Sequence, residues 1–299
     1  MKKIITMFMV LALSLGALAG CASKEGNKDS KKIGLIVSTL NNPFFVDLKE
    51  GAEAKAKELG YELIVLDSQN DPAKEVSNME DISVKNVDIV LLNPVDSDSA
   101  IASVMIANNN DLPVITVDRA ANGGKVLSHV ASDNIEGGKM AADFLMDKLN
   151  KKGNIVELEG IAGSSATRDR GAGFEEGIKK SEFKLVAKQS ADFDRTKGLS
   201  VMENIIQSKD NIDAVFAQND EMALGAQKAL EAANMKNVLV VGFDATEDAV
   251  ESVKKGKMAA TVAQQPILIG ETAVDAVHNV LLGKDIDNYI PVELKLITK

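Results

Sequence analysis

Short apolar runs alternate with amphipathic helical stretches along this chain, and the whole alternation occurs twice. Residues 33–37 read as a buried strand. The segment after them carries Phe45, Leu48, Ala52, Ala56 and Leu59 at spacings of three and four before Gly60, the pattern of a helix with a glycine stop. Strands at 63–66, 89–92 and 114–117 and helices at 72–84 and 99–109 continue the series. It resumes with strands near 155–158, 185–187, 214–217 and 238–241, among helical stretches opening at Gly137, Gly171, Thr196, Glu221 and Ala245. Consecutive βα units demand a mostly parallel sheet covered on both faces, because each crossover is helical and right-handed. The expected fold is α/β, with two Rossmann-like lobes joined by a multi-strand hinge.

No Pro/Gly-rich linker separates the halves. Extended stretches at 131–134 and 262–266 read as crossings between lobes, and 267–282 as a helix returned to the first. The expected N-terminal lobe is therefore 33–132 plus 265–293, and the C-terminal lobe 133–264 plus 294–299. Several parallel connections make a hinge that restricts the lobes to opening and closing.

Lys2 and Lys3 precede an apolar stretch from Ile4 to Ala19 that ends in Leu18-Ala19-Gly20-Cys21. A charged start, a short apolar core and small residues at the cut read as an export signal over residues 1–20; the apolar core is short for a membrane span, which needs about 20 residues. The motif resembles a lipoprotein signal, which implies a lipid on Cys21, a lipidated tether over 21–32 and a place on the outer face of the cell membrane. Cys21 is the chain's one cysteine, so no thiol remains for a disulfide, a zinc site or a nucleophile. Cleavage after residue 20 leaves 32 basic against 44 acidic residues, a formal charge of -12. That balance argues against nucleic acid as a partner, because phosphate binding needs a basic footprint.

In open parallel sheets ligands bind beyond the carboxyl ends of the strands. The first strand leads to Asn41-Asn42-Pro43-Phe44-Phe45, where two adjacent aromatics cannot both lie on one helical core stripe. Strand 114–117 leads to Asp118-Arg119, and a loop from Gly160 carries Thr167-Arg168-Asp169-Arg170-Gly171. Later ends bring Asp192-Phe193-Asp194-Arg195, Gln218-Asn219-Asp220, Phe243-Asp244 and Gln264-Gln265-Pro266. Any one of these could be a helix cap or a surface ion pair; their agreement at one topological location is the signal. Carboxylates, guanidiniums and amides beside flat apolar rings suit a neutral polyol, whose hydroxyls both donate and accept. The chain has no phosphate-binding Gly-Lys-Ser/Thr loop, no nucleophile elbow and no His-Glu-x-x-His, and in Gly171–Gly177 the third glycine is one place late for a dinucleotide fingerprint. That glycine run is expected to mark tight packing at a helix start. His129 and His278 read as core or surface residues. No catalytic residue, cofactor or metal is expected.

The stretches Ser38–Phe45, Val117-Asp118-Arg119, Arg168-Asp169-Arg170-Gly171, Ala191–Arg195, Phe216–Ala223 and Val241–Asp244 resemble the D-ribose-binding proteins of bacterial ABC importers, within the type I periplasmic sugar-binding family. The likeness runs from about Ile33 to Lys299. It implies a pocket of Asn42, Phe44, Phe45, Asp118 and Arg119 from one lobe, with Arg170, Phe193, Asn219, Asp244 and Gln264 completing it. Between Arg168 and Arg170 spacing does not choose; the resemblance selects Arg170. The same resemblance implies a monomeric receptor that delivers D-ribose to a permease and its ATPase, and a chemoreceptor as a further partner. Receptors for another pentose, for allose or for a ribose-like signal are the nearest alternatives. A sugar-converting enzyme and a DNA-binding regulator of the same fold stand further off.

Overall fold

Each half of the chain winds its apolar runs into one sheet. A computed structural model describes residues 31–299; residues 1–30, with the export signal, Cys21 and nearly all of the tether, lie outside the described residues. The first half forms β1 (Lys32–Val37), α1 (Pro43–Glu58), β2 (Glu62–Asp67), α2 (Pro72–Ser83), β3 (Ile89–Leu92), α3 (Ala100–Asn109), β4 (Val114–Val117) and β5 (Ser128–Ser132). The second forms α4 (Asn134–Lys148), β6 (Lys152–Glu159), α5 (Ser165–Ile178), β7 (Glu182–Ser190), α6 (Arg195–Ser208), β8 (Ala214–Ala217), α7 (Asp220–Ala232), β9 (Leu239–Asp244), α8 (Glu247–Lys254) and β10 (Ala260–Ala263). Helix α9 (Pro266–Leu281) and strands β11 (Tyr289–Val292) and β12 (Lys295–Thr298) close the chain.

The first sheet has the order β11-β5-β4-β3-β1-β2 and is parallel throughout. The second has the matching order β12-β10-β9-β8-β6-β7, with only β12 antiparallel to its neighbour. Strands β3, β4, β8 and β10 are buried along their whole length, and the first three read as nearly continuous apolar runs without alternation. The chain passes between the sheets after β5, after β10 and between β11 and β12.

Helices pack in pairs through reciprocal glycines. A β-carbon on Gly51 of α1 would lie 2.1 Å from the Ile267 carbonyl oxygen, and one on Gly270 of α9 would lie 2.1 Å from that of Leu48. Gly138 and Gly173 make the same exchange between α4 and α5, and Gly198 and Gly225 between α6 and α7. At each crossing the absent side chain lets two backbones touch.

Three expectations need correction. Helix α5 begins at Ser165, not Gly171, so Thr167 to Arg170 are helical and not a loop. Its buried residues there are Ser165, Ala166, Thr167 and Arg170; a helix that turns a polar face inward shows no apolar stripe, so the periodicity starts late. Helix α4 likewise begins at Asn134, not Gly137, where Asp133 accepts from the Glu136 amide as an N-cap. The Gly171–Gly177 run sits inside α5, not at its start: Gly173 meets the Ile135 backbone and Gly177 the Ala142 side chain. Strands β5, β10, β11 and β12 were not legible as strands; β5 and β10 end where the sequence suggested only extended crossings at 131–134 and 262–266.

Candidate functional site

The carboxyl ends of both sheets converge on one small cavity. Asn42, Phe44 and Phe45 enter it from the start of α1, and Asp118 and Arg119 from the end of β4. Arg170 comes from α5, Phe193 from beyond β7, Asn219 from the cap of α7, Asp244 from the end of β9 and Gln264 from beyond β10. All of the pocket residues implied by the sequence line it. Ala166 lines it too and was not anticipated. Arg168 has its side chain half-exposed and bonded to Asp169, whereas Arg170 is buried.

Two of these residues carry a local duty as well. The Asn42 side chain accepts from the Phe44 amide and that of Asn219 from the Met222 amide, so each caps its helix while bordering the cavity. Phe44 and Phe45 are both buried, in a T-shaped contact with centroids 5.1 Å apart, because the first turn of α1 is covered by core on one side and by the opposite half on the other. Asp118, Phe193 and Asp244 have φ of 61, 58 and 116°, a backbone region that costs non-glycine residues of order 1–3 kcal/mol and concentrates at functional sites. Gly160 makes room for Phe193, since a β-carbon there would fall 2.0 Å from the ring.

The guanidinium of Arg119 lies over both Phe45 and Phe193, 5.1 Å from each centroid, and Arg170 lies 3.9 Å over Phe243. Arg170 is tied down by donating to the Asn134 side chain at 2.7 Å and to the Gln218 carbonyl at 2.6 Å, with Asp244 3.6 Å away. Asp244 also accepts from Gln264 at 2.9 Å. Two carboxylates and two guanidiniums make the cavity nearly neutral. Burial pushes the Asp244 carboxyl up to about 7, against the opposing pull of Arg170 and Gln264. Burial also brings Arg119 down to about 10, resisted by Asp118, so it remains a cation at neutral pH.

Three buried polar atoms on the lining make no hydrogen bond within the protein: Asp118 Oδ1, Gln264 Oε1 and Arg119 Nε, which is paired only at 3.8 Å with Asp118 Oδ2. They are two acceptors and a donor. Unmet buried polar atoms each cost about 1–3 kcal/mol, so the cavity suits a guest that brings both donors and acceptors.

Behind the lining, the two halves use one device. Asn93, the first residue after β3, accepts from the Ser38 amide at 3.0 Å and donates to Asp118 and to the Val117 carbonyl. Gln218, the first residue after β8, accepts from the Gly160 amide at 3.0 Å and donates to the buried Glu157. Both amides fill the switch point of their own sheet, so the ligand space moves out between the sheets. Reading the residue after β3 by the strand-end rule would have pointed to Asn93. His129 bonds Thr116 and stacks on Tyr289, while His278 bonds Tyr61; neither histidine lines the cavity. Across the mouth the Ser97 amide donates to the Gly163 carbonyl at 3.0 Å and the Ala120 amide to Ser165 Oγ at 2.9 Å, so the cleft is closed.

A family model described as the periplasmic binding protein domain matches residues 33–285. The chain belongs to this family. This periplasmic binding protein is 54% identical to the ribose import binding protein of Haemophilus influenzae, over 98% of the chain and 100% of the relative. It is 50% identical to the ribose import binding protein of Bacillus subtilis, with all of both chains covered. Among solved structures, an ABC transporter solute-binding protein of Bacillus halodurans with bound myo-inositol superposes with a TM-score of 0.86 at 34% identity, covering 91% of this chain and 96% of that one. The paired parallel sheets of this periplasmic binding protein are the architecture of those relatives.

Proposed function

We propose that this periplasmic binding protein captures one molecule of D-ribose between its lobes, unchanged, and presents it to the permease of an ABC importer. The carrying observation is the closed, nearly charge-neutral cavity in which Asp118 Oδ1, Arg119 Nε and Gln264 Oε1, without hydrogen bonds in the protein, offer two acceptors and a donor. The cavity is small and closed over, which favours a single sugar ring over an oligosaccharide. Relatives named for ribose import at about half identity support the pentose.

The ring lies against Phe44, Phe45 and Phe193, and its hydroxyls meet Asn42, Asp118, Arg119, Arg170, Asn219, Asp244 and Gln264. A lobe of 33–132 plus 265–293 closes on one of 133–264 plus 294–299, and the sugar favours closure because it touches both only in that state. Ribose has about ten heavy atoms, so micromolar binding near -8 kcal/mol is well within what small ligands reach. A lipid on Cys21 holds the protein at the outer face of the membrane, and radiolabelled palmitate that enters the wild type but not Cys21→Ser checks this.

Calorimetry against a panel of pentoses and hexoses tests the central reading. Ribose should give the tightest binding and be recovered intact by NMR. Tighter binding of allose or another sugar would replace ribose as the ligand, and conversion of the sugar would make the protein an enzyme.

A further inference from the structure

The strand end Gln218-Asn219-Asp220 delivers Asp220, which does not line the cavity. Asp220 is fully buried, and both of its oxygens are engaged. Oδ1 accepts from Thr261 Oγ1 at 2.7 Å; Oδ2 accepts from the Thr246 amide at 2.7 Å and from Thr246 Oγ1 at 3.2 Å. Thr261 Oγ1 in turn accepts from the Ala245 amide at 3.2 Å. Two successive amides after Asp244 are therefore held, one directly by Asp220 and one through Thr261.

The segment so held is contorted, as is Asp192-Phe193, which brings Phe193 to the same wall. Asp244 has φ of 116° and Ala245 of 57°, both in the region that disfavours side chains. Such a corner persists only where its surroundings over-determine it, and it decides where the Asp244 carboxylate points. Room for the clamp is built in: a β-carbon on Gly242 would fall 2.2 Å from Asp220 Oδ1. A fully buried carboxyl beside another acid is an expensive element, and burial together with Asp244 pushes Asp220 well above the usual carboxylate range. A neutral residue would pack more cheaply, so the hydrogen bonds it makes must matter.

We infer that Asp220, acting through Thr246 and Thr261, is a positioning residue for sugar recognition: it locks the Asp244-Ala245 corner so that the Asp244 carboxylate meets the ligand, without touching the ligand itself. The inference rests on the sugar-binding reading for its consequence, but the clamp lies wholly within the second half of the chain and can be observed without ligand.

The test uses the full-length protein with four forms: wild type, Asp220→Asn, Thr261→Val and Thr261→Ser. Asparagine keeps the shape of Asp220 but either sets its NH2 against the Thr246 amide or turns it to Thr261 Oγ1, where it donates and leaves the Thr261 hydroxyl proton without its acceptor. Valine keeps the volume of Thr261 and removes the acceptor for the Ala245 amide, while serine retains it. Amide hydrogen exchange without sugar should show Ala245 and Thr246 protected in wild type and Thr261→Ser, with protection at Ala245 lost in Thr261→Val and at one or both amides in Asp220→Asn. Ribose affinity should fall about tenfold or more in Asp220→Asn and Thr261→Val, and stay within about threefold of wild type in Thr261→Ser. Melting curves keep folding failure apart from loss of positioning, and Thr261→Ser gives the rescue that a mere packing role would not. Wild-type affinity in both Asp220→Asn and Thr261→Val, or free exchange of both amides in the wild type, overturns the inference. If no form binds ribose while the exchange pattern holds, the clamp stands and the ribose reading falls.

Discussion

At the scale of single residues, the cavity is a set of charges that are useful only because each is braced. Arg170 spends two of its donors on Asn134 and Gln218 and so cannot swing away; Asp118 is held through Oδ2 by Asn93, leaving Oδ1 free of protein partners. Asp118→Ala and Arg170→Ala should each weaken ribose binding by at least about 2 kcal/mol in calorimetry, since each truncation strands a buried partner. Near-wild-type binding in both would remove these residues from the site. Asp244 adds a pH dependence with a definite sign. Its carboxyl is raised to about 7 in the ligand-free closed form, and hydroxyl donors from a sugar stabilise the ionised state and lower that value. Affinity is therefore full above about pH 7 and declines as the pH falls through it, by up to about tenfold for each unit that the ligand lowers the value. Binding at pH 5.5 should be weaker than at pH 8 and release protons; a flat profile would show that Asp244 does not ionise on binding.

At the scale of elements, the helix pairs are set by glycines at backbone contacts. Gly51→Ala should cost about 1–3 kcal/mol and lower the melting temperature, because a β-carbon 2.1 Å from the Ile267 carbonyl oxygen forces α1 and α9 apart. Gly60→Ala is the contrast: its φ is 76° but no atom lies within 4 Å of an added β-carbon, so the cost is the backbone term alone, about 1–2 kcal/mol. If Gly51→Ala were the milder of the two in thermal melts, close helix approach would not be what those glycines provide. The α1–α9 pair matters to function as well, since α1 carries Asn42, Phe44 and Phe45 into the cavity.

At the scale of the whole molecule, closure depends on a few contacts at the mouth. A β-carbon on Gly163 would fall 1.7 Å from Asp96 Oδ2, and the Gly163 carbonyl receives the Ser97 amide. Gly163 has φ of 89°, so Gly163→Leu carries a backbone cost of about 1–2 kcal/mol in both the open and the closed state, which lowers the melting temperature. Beyond that cost it should weaken ribose binding about tenfold or more, because the ligand must then favour a closed state that has become less populated. X-ray scattering should show the wild type compacting with ribose and the variant compacting less. Equal compaction and equal affinity would mean that the Ser97–Gly163 contact is not part of closure.

The sequence alone determined the strand order of events along the chain and which residues stand at strand ends, since both follow from covalent adjacency: whatever lies just beyond β1, β4, β8, β9 or β10 must emerge at the carboxyl edge of a parallel sheet. That is why Asn42, Asp118, Asn219, Asp244 and Gln264 were legible before any fold was known. Tertiary structure decided what depends on a distant partner. Strand β11 is a strand because residues 289–292 find 129–132, far away in sequence, and α5 begins six residues early because its polar face is buried at the cleft. The stacking of Arg119 between Phe45 and Phe193 and the grip of Asp220 on the turn after Asp244 appear only when separate strand ends meet, for no local pattern encodes a contact between them.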